Sequence, residues 1–201
     1  PEPEAAAKPK PPDAKKAADA EEKHAEEARG PLAATVPVEL DSDRTPMRRT
    51  GGDALIRAGR LLTMGPLGNL DNADVRVRGG KIVEIGADLK PDESSVVVDA
   101  RDWCVVPGII DTHSHMAIAG GVNEYSLSVT PEVRVRDVVD SRDVTIYRAL
   151  AGGVTAARLL HGSANTIGGQ DAVVKLRWLK PAPELLLAEA PLGVKFALGE
   201  N

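Results

Sequence analysis

The residues best equipped for chemistry lie in Asp111-Thr112-His113-Ser114-His115-Met116, directly after the apolar run Trp103 to Ile110. The chain has only four histidines, and two of them stand one residue apart here. Side chains alternate along a strand, so Asp111, His113 and His115 share one face if the strand extends that far. Two neutral imidazoles on one face can hold a single zinc or similar ion. A bare His-x-His is more often a chance pair in a loop. Here the preceding strand is apolar on both faces, as a buried parallel strand should be. Its carboxyl end is where α/β folds place function.

The elements that must position this pair follow from the pattern. "ALIRAGRLLTM" predicts one long strand or a strand pair, and "DVRVRGGKIVEIG" predicts a hairpin turning at Gly79-Gly80. "SSVVVDA" and "DWCVVPGIID" predict two more strands. Together they make a small β unit over 51–104. Beyond it the pattern turns α/β, with a helix expected to start at Thr130-Pro131-Glu132 and to stop at Gly152-Gly153. "VTAARLL" follows as a strand, which makes a βαβ unit, and "GVKFALG" predicts a third parallel strand. Residues 1–50, rich in Pro, Ala, Lys and Glu, predict a disordered tail or linker, because almost nothing there can be buried. Residues 105–201 form the α/β portion. The last strand has no helix after it, so the pattern predicts a truncated α/β architecture.

Bulk properties narrow the function. Of the 201 residues 42% are hydrophobic and the net charge is −5, which leaves no broad basic field for nucleic acid. One cysteine, Cys104, excludes an internal disulfide and a Cys-x-x-Cys metal site. It is expected to be a buried small hydrophobe, with Trp103 and Trp178 as packing residues. No apolar run is long enough to span a bilayer. The chain starts at Pro1 rather than Met, which leaves localisation open between cytoplasm and a periplasmic or secreted setting. The expected partner is a small-molecule substrate, and a homo-oligomer is left open.

His161 directly follows a strand, where it could touch substrate or simply be a hydrogen-bonded residue at a strand end. "GSANTIGGQ" could shape a pocket through Ser163, Asn165 and Gln170, or be an ordinary connection. It is neither a Walker loop nor a dinucleotide fingerprint. Asp111 could orient the histidines from behind or serve structure alone.

"VVPGIIDTHSHM" resembles the segment that opens the barrel of the metal-dependent amidohydrolase superfamily. "ALIRAGRLLTMGPLGNLDNADVRVRGGKIVEIGADL" resembles the N-terminal β-sandwich segment of those enzymes, and "ALAGGVTAARLLHGSANTIGGQ" their second barrel strand and its loop. "GVKFALGEN" resembles a later strand of an imidazolonepropionase-like branch. The resemblance implies an incomplete (β/α)₈ TIM barrel, first strands only, behind a β-sandwich segment. It implies one or two divalent metal ions, usually zinc, with His113 and His115 as the first two ligands. It further implies two histidines from the fifth and sixth strands, and a general-base aspartate from the eighth, none matched in this chain. Glu200 falls where some branches place a third-strand glutamate ligand. Lys195 falls where others place a carboxylated lysine, and Glu200 is the preferred of the two.

Two readings follow. In one, the chain is the N-terminal part of a metal-dependent hydrolase of C–N bonds in cyclic amides, peptide-like amides or amino-substituted rings, nearly inactive as this segment alone. In the other, it is a non-catalytic binding or interaction product of an amidohydrolase-like gene.

Overall fold

The computed structural model describes residues 39–46 and 48–198. The tail reading over 1–38 and the position of Glu200 lie outside the described residues. The chain divides into two compact units, Pro1–Pro46 and Met47–Asn201. In the first, a 3₁₀ turn at Asp41–Arg44 is drawn together by Arg44, whose guanidinium meets the carboxylates of Glu39 and Asp41.

The second unit begins with four strands, β1 (Ala54–Leu62), β2 (Asn69–Arg78), β3 (Lys81–Gly86) and β4 (Val96–Val105). They form one sheet in the order β3-β2-β1-β4, antiparallel except for the β1–β4 pair. The hairpin between β2 and β3 turns at Gly79-Gly80, with φ values of 54° and 73°. Two successive positive φ angles suit a two-residue hairpin loop and strongly favour glycine. Ala58, Leu61, Ala73 and Val75 form the buried cluster of this sheet, with Ile56, Leu70, Val77, Ile85 and Val105 packed on it.

"DWCVVPGIID" is not one strand. It splits at Pro107-Gly108 into the end of β4 and the start of β5 (Ile109–Ser114). Proline has no N–H for a ladder, and Ile109 changes partner, donating to the Gly153 carbonyl at 2.9 Å. Trp103 is 73% exposed and Cys104 is also exposed, so neither is packed as the sequence predicts. Their half of β4 alternates little, so no face of it is marked for burial. Ile109 and Ile110 are likewise exposed, 55% and 65%. Trp178 does pack, against the second core and beside Tyr147, the two rings 6.0 Å apart.

β5 pairs in parallel with β6 (Val154–Leu159), and helix α1 (Val144–Ala151) makes the crossover. This is the expected βαβ unit. The helix, however, is far shorter than the predicted span from Thr130. The Thr130 amide donates to the Ile167 carbonyl at 2.8 Å, and Val129 and Arg134 bridge to the neighbouring strand. Those backbone groups are therefore spent across the fold, and only a 3₁₀ turn at Val135–Val138 forms before α1. The true N-cap is Asp143, whose carboxylate accepts from the Thr145 amide. Ile146, on the inner face of α1, is fully buried with Val135, Ala157, Leu159, Val174 and Leu185.

Two further strands interrupt what reads as loop, β7 (Ile167–Gln170) and β8 (Ala172–Lys175). β8 runs antiparallel to β6, and a one-turn helix α2 (Ala182–Leu185) follows it. The last strand, β9 (Val194–Phe196), pairs antiparallel with β7 and is not the third parallel strand expected. The fold is thus mixed α/β, with a β sheet followed by a βαβ unit and a β7–β9 ribbon.

Candidate functional site

His113 lies in β5, and His115 lies one residue beyond its end. Their rings are 5.2 Å apart between centroids, nearly perpendicular at 76°, and both residues are exposed. The pairing of β5 with β6 is irregular between Asp111 and Ser114. Plain alternation therefore does not by itself carry the two rings to one place. The end of β6 completes the job. The Leu160 amide donates to the Ser114 carbonyl at 2.9 Å, and the Leu160 carbonyl lies 2.9 Å from Nδ1 of His115. That contact holds the proton on Nδ1 and leaves the Nε2 lone pair of His115 free as a ligand.

Asp111 acts on backbone rather than ring. Its Oδ1 accepts from the His113 amide at 3.1 Å, within the strand that carries the imidazole. The segment after His115 is fixed by Asp143, whose Oδ2 accepts from the Ala117 amide at 2.8 Å. Burial opposes ionisation of Asp143, yet the hydrogen bonds from Thr145 and Ala117 outweigh it and hold its carboxyl below the usual carboxylate range.

The third participant comes from β9. Nζ of Lys195 stands 3.4 Å from Nε2 of His113. Val194 and Phe196 are exposed while Lys195 is half-buried, so the strand turns its lysine to the opposite side from its apolar neighbours. The alternation in Val-Lys-Phe is the signal in the sequence that marks this lysine. Among the described residues no three His, Cys, Asp or Glu side chains converge on one point. The donor set here is instead two imidazoles and an amine. The imidazoles suit a borderline ion such as zinc. The amine suits one only when it is neutral or carboxylated, because an ammonium has no lone pair to give.

The remaining candidates sit around the segment after the histidines. His161 is 3% exposed, with Nδ1 donating to the Gly162 carbonyl at 3.0 Å and Nε2 accepting from the Glu124 amide at 3.2 Å. Asn165 is also buried, and its amide donates to the carbonyls of Leu127, at 2.7 Å, and Glu124. Gln170 donates to the Pro131 carbonyl at 3.0 Å. Ser163 is exposed. In this arrangement His161 and Asn165 clamp the loop over residues 122–128. Tyr125 and Leu127 stand exposed on that loop.

No protein-family model matches the chain. It is 30% identical over 149 residues to the amidohydrolase tasK of Hapsidospora irregularis, a match covering 62% of this chain and 15% of that protein. It is 38% identical over 64 residues to a 5'-deoxyadenosine deaminase of Methanothrix thermoacetophila, covering 32% of this chain and 15% of the relative. The crystal structure of an amidohydrolase from Thermotoga maritima superposes with a TM-score of 0.63 at 34% identity, covering 74% of this chain and 39% of that one. The chain thus matches about 15% of the length of these two curated relatives. These similarities support kinship with the amidohydrolase superfamily, whose N-terminal part the chain resembles.

Proposed function

We propose that this chain supplies the first metal ligands of a metal-dependent hydrolase that cleaves C–N bonds in a cyclic amide, a peptide-like amide or an amino-substituted ring. The observation that carries the reading is the convergence at the end of β5. There the rings of His113 and His115 stand 5.2 Å apart, and Nζ of Lys195 is 3.4 Å from His113. On this reading β5 and β6 are the first two strands of a (β/α)₈ barrel, and the site lies at their carboxyl ends.

His113 and His115 would hold a divalent ion, zinc by preference, through their Nε2 atoms. Lys195, carboxylated or neutral, would complete the near side. Its approach to His113 supports it as a ligand, while Glu200, the ligand preferred from sequence, lies outside the described residues. When bound, such an ion polarises the carbonyl or ring carbon and activates water for attack. The chain's own residues do the orienting. The Leu160 carbonyl keeps the His115 proton on Nδ1, Asp111 accepts from the His113 amide, and Asp143 anchors the exit at Ala117. His161 and Asn165 hold the 122–128 loop, beside which Ser163 and Gln170 would meet substrate. The general base, an aspartate, is not among these residues.

The test is metal content of the full-length protein after exhaustive dialysis, together with ammonia release from amide and amino-ring substrates. His113→Ala and His115→Ala should each lose bound metal and turnover together. Wild-type metal content in either variant would mean that the pair is not the site.

A further inference from the structure

The approach of Lys195 to His113 depends on where β9 lies, and β9 is weakly held by its own ladder. It has three residues, and only two of them have Cα partners in β7, across an irregular register. Slipping such a strand by one residue would turn Lys195 to the opposite face. What fixes it lies just outside the ladder. Asp171, the single residue between β7 and β8, is 3% exposed. Its amide donates to the Gly193 carbonyl at 3.0 Å, and its Oδ1 accepts from the Gly193 amide at 3.0 Å. Its Oδ2 accepts from Nε of Arg158, on β6, at 2.6 Å. Arg158 in turn donates from Nη2 to the Pro191 carbonyl at 3.3 Å. A Cβ at Gly193 would stand 2.5 Å from Oδ2 of Asp171 and 2.6 Å from Nη2 of Arg158. Any larger residue there would have to push the ends of the ion pair off the backbone.

We infer that Arg158, Asp171 and Gly193 form a clasp that sets the register of β9 and so delivers Lys195 to His113, making them positioning residues for the metal-binding end of β5. Two hydrogen bonds meet at Gly193, two residues before Lys195, and a third holds the Pro191 carbonyl. The Ala197 amide holds the far side by donating to the Thr166 carbonyl at 3.0 Å. Arg158 ties the clasp to β6, the strand whose end also fixes His115. The two halves of the site are thereby referred to one strand. The inference rests on the reading of Lys195 as a ligand.

A double-mutant cycle tests it, with cobalt(II) as the probe, titrated into the metal-free full-length protein and followed by its visible absorption. Lys195→Ala should weaken cobalt binding at least about tenfold and change the spectrum. Gly193→Ala should do the same in the wild-type background and add less than about twofold in the Lys195→Ala background, because the clasp acts through the lysine. Wild-type cobalt affinity in Gly193→Ala, or an equal further loss in the Lys195→Ala background, would overturn the clasp while leaving Lys195 a ligand. An unchanged affinity in Lys195→Ala would instead overturn the ligand reading, and the clasp with it. Should Gly193→Ala not fold, Asp171→Asn runs the same cycle, since it keeps the side-chain shape but removes the charge and one of the two acceptor oxygens that Gly193 and Arg158 use.

Discussion

Asp143 offers a perturbation whose size can be worked from its contacts. Its Oδ1 caps α1 through the Thr145 amide at 2.9 Å, and its Oδ2 holds the Ala117 amide at 2.8 Å. Losing an N-cap costs about 1 kcal/mol. Losing a charge-assisted bond costs about 1.5–3 kcal/mol, and the lower end applies because Asp143 is only partly buried. Asp143→Ala should therefore cost roughly 2–3 kcal/mol, which for a urea slope of about 2 kcal/mol/M lowers the unfolding midpoint by about 1–1.5 M. Asp143→Asn should cost about 1–2 kcal/mol, because its amide oxygen can still cap Thr145 but its NH₂ would face the Ala117 N–H. The dependence on pH follows from the lowered folded-state pKa. The unfolded carboxyl titrates near about 3.9, above the folded one, so in acid the unfolded chain binds the extra proton. The contribution is then full above about pH 4 and is lost as pH falls through the folded pKa. The gap between wild type and Asp143→Ala should be constant at neutral pH and narrow in acid. A midpoint for Asp143→Ala within about 0.2 M of wild type would refute the assignment of both hydrogen bonds to this carboxylate.

Two further outcomes follow from the packing around the site. Ile146→Ala, at a fully buried position of α1, should destabilise by about 2–5 kcal/mol in the same urea assay, and a loss under about 1 kcal/mol would place that residue outside the core. His161→Ala removes the acceptor of the Glu124 amide. Hydrogen exchange at Glu124 should then quicken at least about tenfold with the α1 amides unchanged, and equal exchange in both proteins would deny His161 its role in holding the 122–128 loop.

In the amidohydrolase reading, the two ends of this segment carry different duties. The β1–β4 sheet has its own small core and contributes no residue to the histidine site. The site is built where β5 and β6 end, with one residue brought in from the β7–β9 ribbon. That division explains why the sequence motif is compact while the positioning residues are scattered over Asp111, Asp143, Arg158, Leu160, Asp171 and Gly193.

Local chemistry determined much of this from sequence alone. Gly79-Gly80 between alternating runs specified the hairpin, because two positive φ angles in a row leave few other residues. The apolar run before His113, the glycine stop at 152–153 and the run from Val154 specified a βαβ unit, because each signal is contained in a few neighbouring residues. Tertiary structure decided the rest. Thr130-Pro131-Glu132 carries a helix-start pattern, yet its backbone is taken by Ile167, a partner 37 residues away whose claim no local pattern records. Val194 to Phe196 reads as a parallel strand, yet its direction is set by β7 and its register by Asp171 and Arg158. Cys104 and Trp103 lie in an apolar run, but burial depends on what covers a strand, and hydropathy does not encode that. The histidine pair was legible because its two members are neighbours in the chain. The lysine that meets them was named only through the resemblance, and its approach to His113 was not legible, because its place depends on a clasp assembled from three separate strands and turns.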